Sequence, residues 1–216
     1  MLTSTRTRPA PARHPLFARC YARASHLLDA EIADHRRRLL AGLSGRVLEV
    51  GAGNGLNFPY YPATVTEILA IEPEPYLRRQ TLAPASQAPV PIRVVDGTAE
   101  ALPAPDAAFD AVVASLVLCT VTDPGQALAE VRRVLRSSGR LRFYEHVRAT
   151  DPRLARWQDR LERPWGWLVG GCHPNRDTVA AIGAAGLQIV QLDRFDLAAM
   201  PALARPHVLG VAERKP

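Results

Sequence analysis

The sequence predicts an α/β protein: a doubly wound, mostly parallel seven-stranded sheet with helices on both faces and a helical cover at the N-terminus. Three observations carry that expectation. From Arg46 onward, short β-rich runs alternate with helical ones, the pattern of parallel strands joined by crossover helices. The first of those runs ends in three alternating glycines at Gly51, Gly53 and Gly55. Two more strand-like runs, joined by a proline-containing loop, close the chain. With 216 residues, 47% hydrophobic and 22% charged, the chain is long and apolar enough to bury roughly 70% of its unfolded surface, which excludes disordered and fibrous classes.

Taken in order, residues 1–13 read as a disordered lead-in. They carry Arg6, Arg8 and Arg13 without an apolar centre, so they form no secretory signal, and their prolines oppose an amphipathic transit helix. Residues 14–216 read as a single domain, divided into N-terminal helices over 14–44 and an α/β core over 45–216. The helices are expected from about His14 to Arg23 and from Ser25 to Ala41, where Leu28, Ile32 and Leu39 share a face. The run His35, Arg36, Arg37, Arg38 reads as the solvated side of the second helix.

The strand candidates are Arg46–Val50, Glu67–Ile71, Ile92–Val95, Phe109–Leu116 and Arg140–His146. Between the last two, Asp123 caps a helix with Pro124 in its first turn. Leu128, Val131 and Leu135 form its buried stripe, opposite Glu130, Arg132, Arg133 and Arg136, and Ser138-Gly139 turn the chain into the fifth strand. A helix from about Pro152 to Arg163 precedes Pro164-Trp165-Gly166-Trp167. Another, from Arg176 to Ala185, stops at Gly186, and Leu187–Phe195 and His207–Glu213 are the closing strands.

Charge decides little. The net +6 rests on 27 basic residues of which 26 are arginine. The longest charge-free apolar stretches, Ala111 to Thr122 and Thr178 to Leu192, are shorter than the ~20 residues of a membrane-spanning helix. Cys20, Cys119 and Cys172 include no paired motif, so the spacing suggests neither a disulfide framework nor a zinc site, and a reducing cytoplasm is the expected compartment.

The strongest chemical signal is Val47-Leu48-Glu49-Val50-Gly51-Ala52-Gly53-Asn54-Gly55, a strand running into glycines that permit a tight turn and close backbone approach to a ligand. The dinucleotide fingerprint needs its third glycine one place later, where Leu56 stands. Twenty-one residues after Gly51 the second strand ends at Glu72, a carboxylate placed to accept hydrogen bonds from both ribose hydroxyls.

With Val95-Asp96-Gly97-Thr98-Ala99-Glu100-Ala101-Leu102-Pro103, the tip Ser115-Leu116-Val117-Leu118 and the segment ALAEVRRVLRSSGRL, these motifs run in order from Arg46 to about His146. The chain thereby resembles the class I S-adenosylmethionine-dependent methyltransferases, which have a Rossmann-like fold. The resemblance implies S-adenosyl-L-methionine as cofactor, released as S-adenosyl-L-homocysteine. It places Glu49, Gly51, Ala52, Gly53, Asn57, Glu72, Pro73, Thr98, Ala99, Ser115 and Leu116 at the cofactor, with Gly51, Gly53 and Gly55 around the methionine moiety. Many relatives carry Asp where Thr98 stands, which weakens that adenine contact or moves it to another group. Asp96 and Glu100 serve there or cap loops.

A narrower resemblance joins Gly55-Leu56-Asn57-Phe58 with Tyr61-Pro62, then LVLCTV, Glu145-His146-Val147, a tryptophan-containing segment ending Gly171-Cys172, Asn175-Arg176 and Pro206-His207-Val208-Leu209-Gly210. It is similar to the methyltransferase-like family that includes alkyl-thiol S-methyltransferases. The expected partner is a small, rather apolar acceptor, with a thiol leading. Rival readings are N-, O- or C-methylation of a lipid, quinone or secondary metabolite, and a cofactor-binding regulatory protein without turnover. Nucleic acid is disfavoured, because the fourth strand lacks the Asn/Asp-Pro-Pro-aromatic tetrad.

Glu145, His146, His173 and His207 are the base candidates, with His146 the candidate catalytic residue; its alternative role is to anchor the strand end. None forms a metal-ligand spacing, so no metal is expected. Cys119 and Cys172 read as packed or pocket-lining thiols. Trp157, Trp165 and Trp167 are either core aromatics or walls of an acceptor pocket. Tyr21, Phe58 and Tyr60 join that wall if the N-terminal helices form a lid.

Overall fold

The computed structural model describes residues 15–214; the lead-in expected at 1–13, and His14, lie outside the described residues. The seven strands are β1 (Gly45–Val50), β2 (Val65–Ile71), β3 (Ile92–Val95), β4 (Phe109–Ser115), β5 (Leu135–His146), β6 (Leu187–Asp196) and β7 (Pro206–Arg214). They form one sheet in the order β3-β2-β1-β4-β5-β7-β6. β7 runs antiparallel to β5 and β6, and the pairings among β1 to β5 are parallel. The chain leaves β1 towards β2 and β3 and later returns to its other side as β4. This reversal opens a crevice beyond the carboxyl ends of β1 and β4, where open α/β sheets bind ligands.

The helices are α1 (Pro15–Leu27), α2 (Asp29–Leu40), α3 (Pro75–Gln80), α4 (Leu82–Gln87), α5 (Pro124–Val134), α6 (Pro152–Leu168) and α7 (Thr178–Ala184). One sheet face buries Leu48, Val112, Leu141 and Phe143 against Leu128 and Val131 of α5 and Ile182 of α7. The other buries Val47, Val113 and Tyr144 against Leu39 and Leu40 of α2. Central strands covered on both faces must be apolar at successive positions, which is why Val47-Leu48 and Ala111–Ala114 read as unbroken hydrophobic runs.

The element boundaries depart from expectation in informative places. The short helices α3 and α4 between β2 and β3 span only six residues each, too few to display helical periodicity. β5 begins at Leu135, which pairs with Phe109, while Arg140 pairs with Ala111. Ser138-Gly139 therefore lie within an irregularity of the strand and not in a turn before it, and Leu135 belongs to β5 and not to the helical stripe. Helix α6 continues through the solvent-facing Pro164 to Leu168, its end fastened by Val169 N–H donating to the Trp165 carbonyl at 2.8 Å.

Two charge assignments are corrected. Glu130 is buried on α5, where its carboxylate accepts from Leu102 N–H at 3.0 Å and pairs with Arg133. Arg36 is buried too, donating to Asn57 Oδ1 at 2.9 Å and Asp29 Oδ1 at 3.2 Å, and His35 stacks on Phe195 at 4.3 Å. For Glu130 and Arg36, a polar partner on another element makes burial of the charge affordable.

Candidate active site

A cavity of ≈ 420 Å³ lies at the switch point, within the range of roughly 300–1,000 Å³ usual for small-molecule sites. Its floor comes from the strand ends: Val50 and Gly51 after β1, Ile71, Glu72 and Pro73 after β2, Gly97–Glu100 after β3, and Leu116-Val117 after β4. Thr120–Asp123 and Gln126 form one wall, and Phe17 and Tyr21 of α1 cover the site from the N-terminal side. The helical cover is thus real. A Cβ at Gly170 would run into Phe17, so this glycine lets α1 settle against the segment after α6.

The glycine loop needs its glycines. Gly51 has φ +64°, and a Cβ there would collide with Val117 Cγ2. Leu116 also adopts a left-handed conformation, φ +58°, held by its N–H donating to the Tyr144 carbonyl at 2.7 Å. Such strain in a non-glycine residue clusters at functional sites, and here it aims the residue after β4 into the cavity.

Glu72 is 4% exposed. One carboxylate oxygen accepts from Gly53 N–H at 2.7 Å, the other from Glu74 N–H at 2.9 Å. A carboxylate has about four acceptor sites, so both oxygens retain capacity for a diol in the cavity. Thr98 lines the cavity, while its Oγ1 is buried without a hydrogen-bond partner among the described residues. Glu100 instead fastens the wall, accepting from Thr122 N–H at 2.9 Å, and Asp96 pairs with Arg78; both act as loop-fixing residues. The glycine turn and the spare acceptor capacity of Glu72 on this cavity fit the adenosine and methionine parts of the expected cofactor.

Of the residues expected at the cofactor, Gly51, Gly53, Glu72, Pro73, Thr98, Ala99 and Leu116 line the cavity, whereas Glu49, Ala52, Asn57 and Ser115 do not. Glu49 accepts from Asn57 Nδ2 at 2.7 Å and Tyr61 hydroxyl at 2.8 Å, and Asn57 in turn receives Arg36. These side chains brace the glycine loop from beneath. Tyr21 joins the wall, but Phe58 is fully buried in the core and Tyr60 lies under Arg37 instead.

The base candidates also fall elsewhere. Glu145 accepts from the amides of Val117, Leu118 and Cys119 at 2.9, 2.9 and 3.3 Å, fixing the loop after β4. His146, expected as the catalytic base, is buried off the cavity, with Nε2 2.8 Å from Cys172 Sγ. His173 meets Glu162, and His207 meets the Arg205 carbonyl. Trp157 and Trp167 are 53% and 83% exposed, so they are neither core nor pocket wall. Trp165 donates to Cys172 Sγ at 3.3 Å. The three-way meeting of Cys119, His146 and Cys172, whose ligand atoms lie within 4.8 Å of one another, was invisible in their spacing.

Burial pushes Glu49 and Glu72 up to about 7, while their hydrogen bonds pull in the opposite direction. An unfolded glutamate titrates near ~4.3, so each folded carboxyl holds its proton to higher pH. The resulting stabilisation is complete below the unfolded value and is lost as pH rises through about 7. His207, lowered to about 4 by burial, opposes this trend. The contribution of Glu49 is therefore read against Glu49→Gln: between pH 4.5 and 7.5 the wild-type apoprotein should lose a few kcal/mol relative to the variant. Parallel urea-unfolding curves for the two proteins would contradict it.

Residues 48–143 match the family described as Methyltransferase domain. Thiol S-methyltransferase TMT1B of Homo sapiens is 33% identical over 179 residues, covering 80% of this chain and 73% of that protein. Thiol S-methyltransferase TMT1A of Homo sapiens is 31% identical over 198 residues, covering 86% of this chain and 81% of the relative. Among solved structures, that of an S-adenosylmethionine-dependent methyltransferase of Thermotoga maritima, a possible histamine N-methyltransferase, superposes with a TM-score of 0.69 at 18% identity over 93% of this chain and 98% of its own. That likeness concerns the fold alone. No helix among the described residues is long and apolar enough to cross a membrane. The match in sequence to these relatives over four-fifths of the chain, together with the glycine cradle and Glu72 at the strand switch, shows that the chain belongs to the S-adenosylmethionine-dependent methyltransferases, in the family that includes the thiol S-methyltransferases.

Proposed function

We propose that the protein methylates a small, rather apolar thiol. The observation that carries this reading is the makeup of the cavity: among the described residues, its titratable side chains are Tyr21, Glu72, Glu100 and Asp123, with no histidine, lysine or arginine. Glu72 is committed to the cofactor and Glu100 to the wall, and burial raises the Tyr21 hydroxyl above its ordinary range. When bound, S-adenosylmethionine supplies a methyl group on a cationic sulfonium, open to displacement by a nucleophile.

Such a site suits an acceptor that needs little help in ionising. A free thiol with pKa near ~8.5 is a few per cent ionised at neutral pH, a cost of about 2 kcal/mol, whereas an alcohol near water's ~15.7 would cost roughly 12 kcal/mol. The apolar wall of Leu116, Val117 and Val121 keeps water away, and orientation alone supplies about 7–11 kcal/mol when the reacting atoms are held in line. The names of the two human relatives point to the same acceptor class. Three carboxylates and no basic side chain on the cavity speak against a polyanionic acceptor, despite the net charge of +6.

The test is release of S-adenosylhomocysteine by the purified protein, with product masses, across small apolar thiols and matched amines, phenols and quinols. Turnover of thiols in marked preference to the rest is the expected result. Preference for another nucleophile would overturn the thiol assignment in favour of N-, O- or C-methylation, and cofactor binding without turnover on any member would favour a regulatory binder.

A further inference from the structure

We propose that Cys119, His146 and Cys172 bind a zinc ion, or a divalent cation of the same thiophilic class, with one coordination position open. The three come from separate elements. Cys119 stands in the loop after β4, His146 ends β5, and Cys172 follows α6. Their candidate ligand atoms all lie within 4.8 Å of one another, and His146 Nε2 is 2.8 Å from Cys172 Sγ. Tetrahedral zinc, with bonds of roughly 2.0–2.3 Å, spaces its ligand atoms by about 3.3–3.8 Å. Closure around an ion therefore requires side-chain shifts of about an ångström.

The surroundings are those of a built site. Cys119, His146 and Cys172 are 2%, 6% and 5% exposed, so this is no chance gathering on the surface. The Cys119 backbone is held at both ends, its N–H donating to Glu145 at 3.3 Å and its carbonyl accepting from His173 N–H at 2.9 Å. Trp165 donates its indole N–H to Cys172 Sγ, the outer hydrogen bond that a metal-bound thiolate commonly receives. Arg176 donates to the carbonyls of Leu118 and Val121, both at 2.7 Å, and so fixes the loop bearing Cys119. His146 Nδ1 is buried without a hydrogen-bond partner among the described residues, so the outer bond that a metal-bound imidazole usually makes would have to go to water.

The donor set selects the metal. Two sulfurs and an imidazole suit zinc and disfavour magnesium or calcium, which take oxygen ligands. On binding, both sulfurs enter as thiolates and their two protons pass to water. Among the described residues the group contains no fourth His, Cys, Asp or Glu. Three protein ligands with a vacant fourth position is the arrangement of zinc sites that accept an exogenous ligand, in contrast to closed structural sites. The neighbouring residues Thr120 and Gly170 line the cofactor cavity, so the ion would tie two of its walls together.

The full-length protein, purified under reducing conditions without chelator, should carry about one zinc per chain by elemental analysis. Stripped of metal and titrated with cobalt(II), it should show a sulfur-to-cobalt charge-transfer band and the visible bands of tetrahedral cobalt, both abolished by added zinc. Cys172→Ser and His146→Gln should each weaken cobalt binding by at least about tenfold, with far-ultraviolet circular dichroism retained, while Cys20→Ser, at an exposed position, should leave it unchanged. The wild-type cobalt spectrum tests the site even if a variant fails to fold. The proposal is overturned if reduced wild-type protein binds no stoichiometric metal, if the charge-transfer band is missing, or if Cys119→Ser/Cys172→Ser binds cobalt as tightly as wild type.

Discussion

Replacing Glu72 with alanine is expected to weaken S-adenosylmethionine binding by about 2–3 kcal/mol, roughly 30- to 150-fold in affinity. The carboxylate stands at the end of β2, with one oxygen on the buried amide of Gly53 and the other on the partly buried amide of Glu74, and the residue lines the cavity. Above about pH 7, where the Glu72 carboxyl is ionised, its hydrogen bonds are worth about twice neutral ones, and the same substitution also leaves Gly53 N–H without its partner, loosening the cradle. Glu72→Gln keeps an acceptor for one amide and should fall between the two proteins. Calorimetric titration of the cofactor measures all three, and wild-type affinity in the alanine variant would remove Glu72 from the cofactor site.

The second large effect is expected at Glu145, and it concerns stability. This side chain is fully buried at the end of β5 and accepts three consecutive amides from the loop after β4. Burial raises its pKa while those three bonds lower it, with burial the largest cause. Glu145→Ala leaves the amides of Leu118 and Cys119 unpaired in the interior and that of Val117 unpaired at the partly buried edge of the cavity. At about 1–3 kcal/mol for each unsatisfied buried group, relieved in part by relaxation, the loss should reach about 3–5 kcal/mol of folding stability. The same loop supplies Leu116 and Val117 to the cavity, so cofactor affinity should fall in parallel. Glu145→Gln retains an acceptor oxygen and should lose less. Denaturant unfolding gives the stability, and a cost below about 1 kcal/mol would show that the loop holds itself without the carboxylate.

Glu72 and Glu145 differ in how far their roles are written in the local sequence. Both are buried glutamates at the carboxyl ends of parallel strands. Glu72 was recognisable because the glycines of the preceding strand-turn stand at a set distance from it along the chain, and the sheet places consecutive strand ends side by side. Glu145 offered no comparable signal, since its partners are main-chain amides of a loop nearly thirty residues away. Glu49 and Asn57 carry the right residue types in the right motif, yet strand alternation and a pair of buried partners turn them beneath the glycine loop and away from the cavity.

By itself, then, the sequence determined the sheet, the helix after β4, the glycine cradle and the carboxylate on the second strand, because these depend on short-range periodicity and on backbone conformations that few residues adopt. Only the tertiary structure decided that Glu130 and Arg36 point inward, that the exposed tryptophans leave the acceptor pocket to other residues, and that Cys119, His146 and Cys172 meet. Those outcomes depend on where chain segments far apart in sequence bring their side chains, and a buried polar group is tolerated only where such a distant partner satisfies it.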